Sequence, residues 1–267
     1  MKDKAELYAL IDEYWQDYSE NYSLNCILKP SVPVIWFGNI DKYFESPCRV
    51  VTVAINPSFN EFKDNNGTLS FVRFPLAKNL INKKVLSRDE KDTLIEAYNN
   101  YFETEPYKKW FNVFDDILKE RLNTGDKTSY YDAEDVVNRA IHIDWNTSLT
   151  TSCGWTQVDD DDKEMLSKKG KELFNKLLAY LEPTIILFTA KDDELQDALK
   201  NFAKNSIEIM KDTSNRGKRN IRGFYFNDSL LIYGTNGNRG PMTGVGKETL
   251  KRISSIVEEY KSMKNMS

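Results

Sequence analysis

The chain has 267 residues, of which 29% are charged and 40% hydrophobic, with a formal net charge of -4 and a pI of about 5.3. That length can bury a sizeable core, and we read it as one domain over residues 1–267 with an N-terminal helix as an embellishment. The acidic balance excludes a protein coated in DNA-binding charge, although phosphate contact needs only a local basic surface.

No apolar run is long enough for a membrane span and no positive-then-apolar leader opens the chain. A cytoplasmic protein with no membrane partner is therefore expected. Cys26, Cys48 and Cys153 are odd in number and widely spaced, so they form neither a disulfide framework nor a CxxC metal site. No metal and no cofactor is expected, and an iron-sulfur cluster on four thiolates is excluded.

In chain order, Leu7, Leu10, Ile11, Tyr14, Trp15 and Tyr18 recur at helical spacing and predict an amphipathic helix over 3–22, packed outside a sheet. Pro30 and Pro33 end it, and 34–37 is short and β-prone. Arg49 to Ala54 is an apolar run suited to a strand buried on both faces, and it stops abruptly at Asn56-Pro57. The proline holds Asn56 extended, which fixes its carboxamide at the carboxyl end of the strand, where open α/β sheets bind ligands. An Asn-Pro after a strand is also an ordinary turn.

Polar loop residues follow, and then Ser87-Arg88-Asp89-Glu90 predicts a capping box opening a helix to about residue 102. Pro106 begins the next helix. A second strand over 140–146 places His142, Asp144 and Asn146 on one face and Ile141, Ile143 and Trp145 on the other. A buried row of His, Asp and Asn is costly unless satisfied, which favours a pocket; an edge strand with a wet face is the alternative. Asp159 to Asp162 precede a helix over 163–181, where negative charge suits the positive end of the helix dipole. A third strand over 184–188, a helix over 193–201, a hairpin over 221–233 and a closing helix over 247–263 complete the chain.

In this order the stretches resemble the uracil-DNA glycosylase superfamily, most closely its mismatch-specific thymine/uracil branch. Ala54-Ile55-Asn56-Pro57-Ser58 stands where that branch has Gly-Ile-Asn-Pro-Gly, and Asn146-Thr147-Ser148-Leu149-Thr150 resembles its Asn-x-x-Leu-Thr. Lys108-Lys109-Trp110-Phe111 occupies the place of a family helix start, and 166–191 resembles the long helix and third strand. The second family motif usually reads His-Pro-Ser or Asn-Pro-Ser; here the loop 234–244 carries Asn236, Asn238, Arg239, Pro241 and Met242 instead.

The resemblance implies a three-layer α/β/α sandwich around a central, mainly parallel four-stranded sheet. It implies a monofunctional DNA glycosylase, with DNA as partner and the protein a monomer. Asn56 would orient the attacking water, because a carboxamide oxygen accepts while its NH2 donates. Asp144 is the second catalytic candidate, as a base. Asn146 would read the pyrimidine edge, uracil-like or cytosine-like according to how its amide turns. Phe71 would stack on the extruded base, with Ile55, Ser58 and His142 around it; Phe71 and His142 are equally readable as core. The small Ser58 leaves room at pyrimidine C5, so a C5-modified base is favoured over plain uracil, with defence against phages carrying modified DNA as the implied role. Arg239, Pro241 and Met242 are candidates to fill the gap left by the flipped base, and Arg216, Lys218 and Arg219 to contact phosphate. A repair enzyme for uracil or thymine mismatches, a catalytically inactive nucleic-acid-binding module, and a nucleoside hydrolase using Asp144 are the alternatives.

Overall fold

The computed structural model describes residues 2–119, 130, 131, 139–191, 193, 194, 197, 198, 200, 207–213, 220–226, 228–235, 241, 242 and 247–265. Six strands form one mixed sheet in the order β2-β1-β3-β6-β5-β4, so the chain is α/β. They are β1 (Val50–Ala54), β2 (Ala140–Asp144), β3 (Ile185–Ala190), β4 (Ile207–Thr213), β5 (Asn220–Phe226) and β6 (Ser229–Thr235). The expected count of four strands is too small. The hairpin does not stand apart but joins β3 in parallel through β6, while β4 adds an antiparallel edge beyond β5. Its sequence, Ile207-Glu208-Ile209-Met210-Lys211-Asp212-Thr213, is charged enough to pass for loop, and Ile207 is indeed exposed. Residues 34–37, expected to be β-prone, contribute only an isolated bridge between Phe37 and His142.

The chain divides into two compact units, one of Met1–Glu45, Ala54–Tyr107 and Ile141–Glu182, the other of Ser46–Val53, Lys108–Ala140 and Pro183–Ser267. In the first, α1 (Lys4–Asn21) starts on Asp3, whose carboxylate accepts from the Ala5 amide at 2.9 Å. Its predicted stripe is buried, and Trp15 Nε1 and Tyr18 OH each donate to a backbone carbonyl, of Lys83 and Ser31. A short helix α2 (Ile40–Glu45) escaped the periodicity because it is under two turns long. Helix α3 (Arg88–Asn99) carries the expected capping box: Ser87 Oγ accepts from the Glu90 amide at 3.3 Å and Glu90 Oε2 from the Ser87 amide at 2.8 Å.

In the second unit, α4 (Lys108–Lys119) begins two residues after Pro106. Residues Val50 to Val53 run parallel to Ile185 to Phe188, and the register is pinned where the Thr184 and Ile185 amides both donate to Arg49 O. The last helix, α6 (Lys247–Asn265), stacks Tyr260 on Tyr225 of β5 at 5.5 Å between ring centroids.

Back in the first unit, α5 (Asp160–Leu181) starts three residues earlier than expected, so three aspartates lie in its first turn rather than ahead of it. Favourable interaction with the helix dipole explains the earlier start. No helix among the described residues is long and apolar enough to cross a membrane.

Candidate functional site

The residues singled out around Asn56 and Asn146 all fall in the first unit. At the last residue of β1 and the one after it the chain keeps two more backbone bonds: the Trp145 amide donates to Ala54 O at 2.8 Å and the Asn146 amide to Ile55 O at 2.9 Å. Asn56 and Asn146 are thereby held at neighbouring chain ends. Pro57 then turns the chain away, and Ser58 caps a 3₁₀ turn over Phe59–Phe62, its Oγ accepting from the Asn60 amide at 3.2 Å. Ile55, Asn56 and Ser58 are each half-buried, and Asn146 is fully buried.

The Asn56 carboxamide is tied down through its nitrogen. Nδ2 donates to Pro57 O at 3.2 Å and to Thr151 Oγ1 at 3.1 Å, and the Thr151 hydroxyl donates onward to Cys153 O at 2.7 Å. Among the described residues no hydrogen bond reaches Asn56 Oδ1. Of the half-buried amide, the oxygen is the free end.

The stretch carrying Asn146 and Thr151 is pinned along its length. Leu28 donates to Thr150 O at 2.9 Å, Val34 to Ser148 O at 2.8 Å and Ser152 to Cys26 O at 2.8 Å, all through backbone amides. Helix α5 closes it from the other side. Gly170 lies so near that a Cβ built there would sit 1.7 Å from Asn146 O, which only glycine permits. Trp145, pointing away from His142 and Asp144, packs edge-on against Phe174 of the same helix.

The sequence matches no protein-family model and no curated protein.

On the His142 face the structure gathers groups that the sequence left scattered. Phe37 packs on His142 and on Tyr101, and Phe74 lies against both Phe62 and Tyr101. Tyr101 OH donates to Glu61 Oε2 at 2.6 Å, with Arg73 Nε 3.9 Å from the same oxygen. Burial pushes the Glu61 carboxyl up to about 7, against the opposing pull of Tyr101 and Arg73. Glu61, Arg73 and Tyr101 were missed because Asn60 to Asp64 reads as polar loop; the aromatic residues on both sides of Glu61 were the available signal.

Asp144 is the other buried carboxylate. Burial raises its pKa, and His142 Nε2, 3.7 Å away, pulls the other way. That separation is beyond hydrogen-bond reach, and neither Asp144 oxygen has a hydrogen-bond partner among the described residues. Ser148 Oγ and Thr150 Oγ1 are buried in the same condition. Phe71, the expected stacking residue, is 8% exposed and packs edge-on against Phe62.

Of the expected DNA contacts, Asn236, Asn238, Arg239, Arg216, Lys218 and Arg219 lie outside the described residues. Pro241 and Met242, in the second unit, are buried. The Met242 amide donates to Thr189 Oγ1 at 3.1 Å, and its sulfur fills the space over Gly234, 2.7 Å from where a Cβ would stand. The basic run Lys168 to Lys171 is partly spent locally, Lys169 on Glu172 at 3.1 Å and Lys171 over the Trp145 ring. Among the described residues no cluster of three or more His, Cys, Asp or Glu is placed to hold a metal ion.

Proposed function

We propose that this chain is a monofunctional DNA glycosylase that hydrolyses the N-glycosidic bond of a modified or mismatched pyrimidine, with a C5-substituted base favoured over plain uracil. One observation carries the reading: a carboxamide fixed through its nitrogen offers its oxygen at the carboxyl end of β1, one backbone bond from the segment of Asn146. Cleaving an N-glycosidic bond requires a water directed at C1′ while positive charge develops on the sugar. The Asn56 oxygen accepts a hydrogen bond from that water and orients it; the C1′–N bond breaks, the base departs with the electron pair, the water oxygen bonds to C1′, and the water's proton passes to the departing base or to solvent. A carboxamide is a weak base, so the rate is modest by hydrolase standards. The corner from Ala54 to Ser58 offers no lysine for a Schiff base, so strand cleavage by that route does not accompany base loss.

In this reading Asn146 reads the edge of the flipped base and Ser58 leaves room at C5. Ile55 and His142 line the approach, and Phe71 stacks once DNA binding uncovers it. Asp144 is the second catalytic candidate, a base only when the bound complex opens its buried oxygens to water. The stretch 234–244, with Asn236, Asn238 and Arg239, and the basic residues Arg216, Lys218 and Arg219 contact DNA. The reading also carries the superfamily architecture, a three-layer α/β/α sandwich whose four-stranded sheet is β2, β1, β3 and β6, with β5 and β4 as additions beyond β6. Action against phages with modified pyrimidines follows from the room at C5.

The test is base release from duplexes containing uracil, thymine opposite guanine, 5-hydroxymethylcytosine and its glucosylated form. Alkali-labile sites on one of them are expected, most readily on a C5-modified base. DNA binding without base release from any would leave an inactive binding module of the same fold.

A further inference from the structure

The orientation of a carboxamide decides what it can do to a water, and the two ends of an asparagine side chain are similar in size. At Asn56 the surroundings leave one choice. Pro57 O is a carbonyl and can only accept, so the atom 3.2 Å from it must be the amide nitrogen. The Thr151 hydroxyl would be free to donate or accept, but its single proton is taken by Cys153 O at 2.7 Å. Its oxygen therefore faces Asn56 as an acceptor at 3.1 Å. Two acceptors converge on Nδ2, and the oxygen is turned to the open side.

We propose that Thr151 is a positioning residue that sets the Asn56 carboxamide with its oxygen toward the attacking water. The inference rests on the glycosylase reading and deepens it. Pro57 O alone does not hold the amide, because a single bond to a neighbouring carbonyl leaves the side chain free to rotate away. Thr151 is itself 1% exposed and anchored by a backbone bridge to Ile27, so it is a fixed reference rather than a mobile one. The relay needs a hydroxyl that donates one way and accepts the other. Serine keeps both functions and valine, of nearly equal shape, keeps neither.

The experiment uses the full-length protein and the duplex on which the wild type releases base. Thr151→Val is expected to lower single-turnover kcat roughly 10- to 100-fold, as misorientation of a catalytic group does, with KM unchanged. Thr151→Ser is expected to restore most of the loss. In an Asn56→Ala background, Thr151→Val should add nothing further, because the residue acts through the amide. Thermal unfolding of each variant shows whether the fold is kept; if Thr151→Val unfolds, Thr151→Ala, which also lacks the hydroxyl, carries the test with the same expected loss against Thr151→Ser. Full activity in a folded Thr151→Val, or an equal further loss in the Asn56→Ala background, would overturn the inference while leaving the glycosylase intact. No base release by the wild type on any duplex would overturn the glycosylase reading and the inference with it.

Discussion

Glu61 and Asp144 are both buried carboxylates in the same unit, 3% and 7% exposed, and burial raises the pKa of each. Their partners differ. Glu61 has a tyrosine hydroxyl at 2.6 Å and an arginine beside it, whereas Asp144 has only His142 at 3.7 Å and no hydrogen bond to either oxygen among the described residues. A buried acid with its partners in place is part of the framework; one whose oxygens are left over costs stability and is retained for another reason. The contrast places the structural load on the 59–62 turn and the functional interest on the end of β2.

The strand end that carries Asp144 runs on to Asn146, and Gly170 is what lets α5 approach it. Gly170→Ala is expected to have the largest effect, about 3 kcal/mol or more, since the new methyl meets a backbone oxygen and not a flexible side chain. Urea unfolding measures it, and base release should fall with it. Glu61→Ala comes next, at about 3 kcal/mol, because it removes the buried acceptor of the Tyr101 hydroxyl and the carboxyl beside Arg73, whose guanidinium keeps only backbone carbonyl partners.

The pH dependence is smaller and has a definite sign. Glu61 is raised from 4.5 to about 7, so the folded state holds a proton that the unfolded state has released. Its contribution is fully present below about pH 4.5 and is lost as pH rises to about 7, an upper bound of about 3 kcal/mol from a shift of this size. Asp17 on α1, raised to about 6 by burial and partly offset by Asn21, adds in the same direction. Denaturant titrations at several pH values should show stability falling across this window, and Glu61→Gln should flatten the fall.

Asp144→Asn is expected to change stability least, by under about 1 kcal/mol in either direction, since no hydrogen bond to its oxygens is broken. A loss as large as that of Glu61→Ala would erase the contrast between the two acids.

Much of the framework was legible. The β1 run ending on Asn56-Pro57, the alternation that puts His142 and Asp144 opposite Ile141, Ile143 and Trp145, and the Ser87–Glu90 capping box are local patterns, and local patterns survive in a single sequence. What escaped depends on distant chain. Glu61 sits in a polar stretch and becomes a core residue only when Tyr101 and Arg73 close over it. Thr151 reads as the tail of a hydroxyl-rich run, and its tie to Asn56 spans 95 residues. The run of five hydroxyl residues from Thr147 to Ser152, of which all but the exposed Ser152 are buried, was the hint available; its backbone anchors to 26–34 could not be read from spacing. Strand β4 was hidden by its charge, which an edge strand tolerates.

The central claim is that the Asn56 carboxamide carries the hydrolysis. Single-turnover base release by wild type and Asn56→Ala, run on the same four duplexes with DNA binding measured in parallel, tests it most directly. The account predicts release by the wild type, a loss of at least about 100-fold in the variant, and unchanged binding. Equal release by the two proteins would contradict it.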